Sequence, residues 1–124
     1  MPRPYRLAVV GSRACSPAQF STIMRHLDHL DPAPSVVVTG DASGVDEAAR
    51  FWSFTNIGSP AVHNAEWEEH GKKAGPMRNA KVVADADRMI AFICRRPSPG
   101  TEDAIRQAKD RGILVNVFDL TSNA

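Results

Sequence analysis

The chain has 124 residues, a formal net charge of +1, 43% hydrophobic residues and 23% charged residues. These values are typical of one globular domain, so we expect a single domain over residues 1–124 and exclude a disordered chain. No apolar stretch approaches the roughly 20 residues that span a bilayer, and residues 1–5 carry no apolar signal-peptide core. We therefore expect a cytoplasmic protein, with no overall charge that would attract nucleic acid or a membrane.

The first half of the chain alternates short apolar runs with amphipathic segments. Residues 7–10, 36–38 and 61–63 are predicted strands, and the first of these runs ends at Gly11. Ser16 and Gln19 predict a capping box at the start of a helix, with Pro17 at its first position. Ser43 and Asp46 predict a second capping box, opening the helix that follows the second strand.

The second half of the chain continues this alternation after a polar stretch. Residues 64–75 fit no clear element, and Pro76 is expected to open a short helix to about residue 84. Residues 88–93 and 113–118 are predicted strands, separated by a helix that begins near Thr101 and ends at Gly112. Strands that alternate with helices predict a parallel sheet, and continuous apolar runs predict strands buried on both faces. We expect an α/β, Rossmann-like three-layer sandwich with five strands in the order 3-2-1-4-5.

The unusual residues follow the ends of the predicted strands, which meet at one edge of a parallel sheet. Gly11-Ser12-Arg13 can offer backbone N–H groups, a hydroxyl and a guanidinium to an oxyanion, although an ordinary tight turn would use the same residues. Gly100-Thr101 at a helix start is a second phosphate-shaped segment, or a simple threonine cap. Because the two loops follow strands that should be neighbours, we expect one anion site between them.

Other motifs leave alternatives open. The single glycine after strand 1 disfavours a dinucleotide fingerprint, so no cofactor is expected. Asp46 could orient a sugar hydroxyl, act as a base or cap its own helix. Trp67 could stack on a base or pack against the sheet edge, and the basic run from His70 to Arg78 could reach a phosphate or remain a solvated loop.

Two further residue pairs point to structure rather than chemistry. Cys15 and Cys94 are expected to be free thiols rather than a disulfide framework. His26 and His29 lie three residues apart without further ligands nearby, so we interpret them as solvent-facing and expect no metal site.

Several of these motifs together resemble the small YspA-like (cpYpsA-related) members of the SLOG superfamily. That superfamily also contains the LOG phosphoribohydrolases and DNA-processing protein A. The matching segments are residues 10–13, 39–46, 66–67, 70–79 and 99–101, and the run Gly-Lys-x-Ala-Gly-Pro-x-Arg-Asn within residues 71–79 is the most specific of them. The resemblance implies a nucleotide or nucleotide-derived ligand at the strand edge.

The same resemblance implies candidate residues for N-glycosidic cleavage. Arg78 matches the arginine of the LOG Met-x-x-Arg-Lys motif in shortened form. Ala104 occupies the position of the catalytic glutamate, so a hydrolase would need another carboxylate. The candidate catalytic residues are Arg78, Asp46 and Glu66.

The predicted ligand-binding residues lie in the loops after the strands. They are Gly11, Ser12, Arg13, Gly40, Asp41, Gly44, Trp67, Lys72, Asn79, Gly100 and Thr101. The sequence favours a sensor or binding protein for a nucleotide-derived small molecule, with a nucleotide hydrolase as the alternative. Nucleic-acid binding is ranked last of the three because the net charge is near zero and the chain has a single basic loop. A homodimer is expected, and no membrane partner.

Overall fold

Five parallel strands form one sheet in the order β3-β2-β1-β4-β5. The strands are β1 Arg6–Gly11, β2 Val36–Gly40, β3 Ala61–His63, β4 Arg88–Ile93 and β5 Leu114–Asp119. This computed structural model describes residues 4–123. Residues 1–3, part of the segment 1–5 in which no signal-peptide core was found, lie outside the described residues. The predicted Rossmann-like α/β class and strand order are confirmed.

Helices cover both faces of the sheet. They are α1 Pro17–Asp28, α2 Val45–Asn56, α3 Trp67–His70, α4 Ala74–Ala84 and α5 Pro99–Asp110, with a 3-10 turn at Gly71–Lys73 between α3 and α4 and another at Thr121–Asn123. Within residues 4–123, no helix has both the length and the apolar character that crossing a membrane requires.

Two apolar cores lie on opposite faces of the sheet because alternate strand residues point to opposite sides. One core packs α1 and α2 against β1 residues Leu7 and Val9, with Trp52 buried in it. The other packs α4 and α5 against Ala8 and Val10. Helix α1, which follows β1, and helix α5, which follows β4, therefore lie on opposite faces. Their divergence opens a crevice between the ends of β1 and β4.

The capping signals have different outcomes at the two helices. At α1, the Ser16 hydroxyl accepts from the Gln19 N–H and the Gln19 side chain accepts from the Ser16 N–H, which confirms the predicted box. At α2 the predicted box is wrong. Gly44 is the N-cap with φ of 75°, and the Ser43 hydroxyl donates instead to the Arg13 carbonyl.

Strand β5 departs from the expectation of burial on both faces. It is an edge strand, paired only with β4 among the described residues, and Leu114 is 62% exposed. The apolar sequence of this strand does not distinguish an edge from a central position, because strand order is set by the crossover connections.

Candidate functional site

A cavity of about 510 Å³ opens at the carboxyl edge of the sheet, in the crevice between β1 and β4. Its walls come from the loops after β1, β2 and β4, from the middle of α4 and from the first two turns of α5. The lining residues include Gly11, Ser12, Arg13, Gly40, Asp46, Arg78, Asn79, Arg95, Ser98, Gly100, Thr101 and Ala104. Half of all the residues that line the cavity are among the predicted site residues, and their contact with a ligand stays a prediction.

The rim of the cavity carries two arginines whose charges are not neutralised by the protein. Arg13 and Arg95 are both exposed, and no carboxylate of residues 4–123 makes an ion pair with either guanidinium. The Arg13 guanidinium carbon lies 5.3 Å from the centroid of the Trp67 ring, which is itself 46% exposed. An exposed aromatic ring beside free guanidinium groups can bind an anion and an aromatic group together.

The floor of the cavity is a buried ionic cluster. Arg78 is only 8% exposed, and its Nη1 donates to Asp41 Oδ1 at 2.9 Å and lies 3.9 Å from Asp46 Oδ2. Burial raises the pKa of Asp46, and the nearby Arg78 charge and the hydrogen bond from the Ala42 N–H oppose that rise only in part. The guanidinium of Arg78 is therefore already paired with carboxylates. In this structure Arg78 holds together the carboxylates at the bottom of the cavity, and its contact with a phosphate stays a prediction.

Gly40 is required by this cluster. A Cβ atom at position 40 would lie 2.5 Å from Arg78 Nη1 and 2.6 Å from Asp46 Oδ2. Gly44 is required on the other side of the same loop, since its φ is +75° and a Cβ atom there would lie 2.3 Å from the Ser12 carbonyl oxygen. Both glycines shape the loop and offer no side chain to a ligand.

The backbone and hydroxyl groups of Ser12, in the loop after β1, form hydrogen bonds within the protein. The Ser12 N–H donates to the Phe92 carbonyl, and the Ser12 hydroxyl accepts from the Cys94 N–H at 2.9 Å. Ser12 is 3% exposed, so its hydroxyl joins β1 to the end of β4. Of the predicted anion-binding segment at residues 11–13, only Arg13 presents a free side chain.

The first turn of α5 shows the same internal use of polar groups. The Thr101 hydroxyl is 2.8 Å from the Ser98 hydroxyl, and both residues are buried. The Asn79 amide donates to the Gly100 carbonyl and to Asp103, so it ties α4 to α5. These side chains rigidify the cavity wall between the two helices.

Five of the predicted site residues do not line the cavity: Asp41, Gly44, Glu66, Trp67 and Lys72. Glu66 is exposed as the N-cap of α3, 3.8 Å from His70, and Lys72 is exposed on the following turn. Carboxylates of Glu66 and Glu69 and the ring of His70 lie within 4.8 Å of one another, but the group is open to solvent. His26 was interpreted as solvent-facing, and that is wrong: its ring packs 4.3 Å from the Phe118 centroid.

Two further lining residues bear on the chemistry of the cavity, one noted in the sequence and one missed there. Ala104 lines the cavity and is buried, so the position implied for a catalytic glutamate supplies no carboxylate. Arg95 was missed, although the run Cys94-Arg95-Arg96 directly after β4 was a signal for basic residues at the active edge.

The fold of this chain is similar to that of a known protein. No family model matches the chain. A solved structure of DNA processing protein A from Helicobacter pylori, described for its single-stranded DNA binding mode, is similar with a TM-score of 0.72 and 18% identity. The similarity covers 92% of this chain and 65% of that one, so the chain spans less than two thirds of that protein.

The fold and crevice define a Rossmann-like α/β protein. The chain belongs to the family of the Gene 61 protein of Mycobacterium phage D29. The two are 43% identical over 97 residues, which cover 73% of this chain and 76% of the relative.

These comparisons correct the functional ranking made from the sequence. A nucleotide-derived small molecule was placed first and nucleic acid was not expected as a partner. That ranking is wrong, because the solved structure that shares this fold is described for binding single-stranded DNA. Net charge was the wrong criterion: the +1 total hides two unneutralised arginines at one edge.

Proposed function

We propose that the chain binds single-stranded DNA along the carboxyl edge of the sheet. The observation that carries this proposal is the contact of Arg13, which lines the cavity, with the exposed ring of Trp67, which lies outside the lining. Proteins that bind single strands combine cationic side chains, which track the backbone, with aromatic rings on which bases stack. The described binding mode of the structural neighbour supports the same ligand class.

In the proposed complex the two arginines hold successive phosphates. Arg13 moves from the Trp67 ring onto a phosphate, and an unstacked base takes its place on the ring. Arg95, on the opposite rim, binds a neighbouring phosphate, and the amino-terminal turn of α5 between the rims adds its favourable dipole. A duplex keeps its bases stacked and cannot offer one to Trp67, so we expect a preference for single strands.

Fluorescence anisotropy with a labelled oligothymidylate tests the proposal. We expect binding whose logarithmic affinity falls with the logarithm of salt concentration, with a slope of about −0.7 for each phosphate contacted. Arg13→Ala should weaken binding about tenfold and make this slope shallower. Arg111→Ala, an exposed arginine after the carboxyl end of α5, is the matched control and should bind like the wild type. Equal binding by the two variants, or a preference for duplex, would contradict the proposal.

The narrower expectations from the sequence stay predictions. The motif at residues 71–79 supports membership of the YspA-like branch. Light scattering across micromolar concentrations checks the expected homodimer, and fractionation of producing cells checks the expected cytoplasmic location.

A further inference from the structure

The two cysteines of the chain lie side by side where the loop after β1 meets the end of β4. Cys15 Sγ is 3.2 Å from Cys94 Sγ, although 79 positions separate them in sequence. Both are free thiols, as predicted, and they share a hydrogen bond. A disulfide has an S–S distance of about 2.05 Å, so the two sulfur atoms need to approach by only about 1 Å.

The two thiols differ in accessibility and in acidity. Cys15 is half-buried, whereas Cys94 is 4% exposed. The hydrogen bond from Cys94 lowers the pKa of Cys15 despite opposing contributions from burial and from Glu47. The same hydrogen bond and burial raise the pKa of Cys94. This asymmetry suits an attacking thiol with a second, protected thiol beside it, since the thiolate is the nucleophile.

We propose that Cys15 and Cys94 form a reversible intramolecular disulfide by exchange with a small-molecule disulfide such as oxidised glutathione. The Cys15 thiolate attacks one sulfur of the reagent, whose S–S bond breaks and releases one thiol. Cys94 loses its proton to solvent, attacks Cys15 Sγ and expels the second thiol. The two protein thiols are thus oxidised and the reagent is reduced to two thiols.

This site is distinct from the proposed DNA site and does not depend on it, but the two share a loop. Arg13 lies two residues before Cys15, and the Ser12 hydroxyl already accepts from the Cys94 N–H. A second, covalent connection at Cys15 would hold the backbone that carries Arg13 against the end of β4. The redox state of the pair therefore sets the freedom of one rim of the cavity.

The test is incubation of the folded chain with oxidised glutathione, followed by mass spectrometry and thiol titration. The wild type should lose both titratable thiols together, and the mass of each chain should fall by two hydrogen atoms, without retained glutathione. Its Tm should rise by about 5 °C or more, because the bond closes a long loop, and excess dithiothreitol should reverse both changes.

Two variants with circular dichroism spectra matching the wild type separate the roles of the thiols. Cys94→Ser should retain one glutathione on Cys15, because no second thiol can release it. Cys15→Ser should stay unmodified while folded, because Cys94 is buried. A stable glutathione adduct on the wild type would overturn the proposal. Two unreacted thiols in the wild type would overturn it as well. Neither result bears on oligothymidylate binding by the reduced chain, so the two proposals fail independently.

Discussion

The rim and the floor of the cavity both contain arginine, but the two environments give that residue opposite roles. On the rim, Arg13 is exposed and its partner is an aromatic ring. On the floor, Arg78 is buried between two carboxylates, 2.9 Å from one and 3.9 Å from the other. A buried charge needs permanent partners, whereas a solvated one can exchange water for a ligand. The difference shows that burial, rather than residue type, separates structural from ligand-binding arginines at this edge.

The largest expected effect comes from removing the floor arginine. Arg78→Met should lower the free energy of unfolding by about 3 kcal/mol, because Asp46 loses a compensating charge while buried. This value is at the low end for a broken buried pair since Asp41 is partly solvated. Arg13→Met on the rim should change stability by less than about 0.5 kcal/mol. Urea unfolding monitored by circular dichroism measures both changes. Equal losses of stability in the two variants would contradict the different roles assigned to Arg78 and Arg13.

A methyl group added beside Arg78 and Asp46 should lower the free energy of unfolding by less than the removal of Arg78 does. Gly40→Ala should lower the free energy of unfolding by about 1–3 kcal/mol, because the new Cβ atom forces the Arg78 and Asp46 side chains apart. Gly100→Ala is the control, since a Cβ atom there would meet no other part of the described chain within 4 Å. Thermal unfolding compares the two variants. A Gly40→Ala protein as stable as the control would show that the floor is not tightly packed.

The rim can be tested through affinity rather than stability. Trp67→Ala should weaken oligothymidylate binding by about 1–3 kcal/mol, the usual contribution of one stacked base. Phe54→Ala removes another exposed aromatic ring, on α2, and should leave the affinity unchanged. Anisotropy titrations at one salt concentration make the comparison. Similar losses for both variants would indicate nonspecific contact with aromatic surface.

The smallest effect is a pH dependence of stability that originates on the floor. Burial raises the folded-state pKa of Asp46, so between its unfolded pKa near 3.8 and the raised value the folded chain binds more protons than the unfolded chain. The contribution of this group to stability is therefore fully present below pH 3.8 and is lost as the pH rises through the folded pKa. Unfolding free energies measured across this range should show that decline in the wild type relative to Asp46→Asn. A constant difference between the two would contradict it.

The residue pattern predicted most of the helices and strands and the order of the strands in the sheet. It predicted fewer of the contacts in the candidate site. Residues 88–93 were predicted as a strand at the observed bounds, and the α1 capping box was predicted residue by residue. The box at Ser43 was not, because that hydroxyl bonds to the Arg13 carbonyl, 30 residues away in sequence. Local chemistry predicts local bonds, and a long-range acceptor overrode it.

The sequence by itself determined the alternation of strands and helices, the edge at which the loops meet and the presence of cationic and aromatic groups there. Only the tertiary structure decided which polar side chains remain available. Ser12, Asn79, Thr101 and Arg78 all reached the cavity, and all are bonded to other parts of the protein. The reason is that a buried polar group must be satisfied by whatever the fold brings beside it. Those partners are 1 to 86 positions away along the chain.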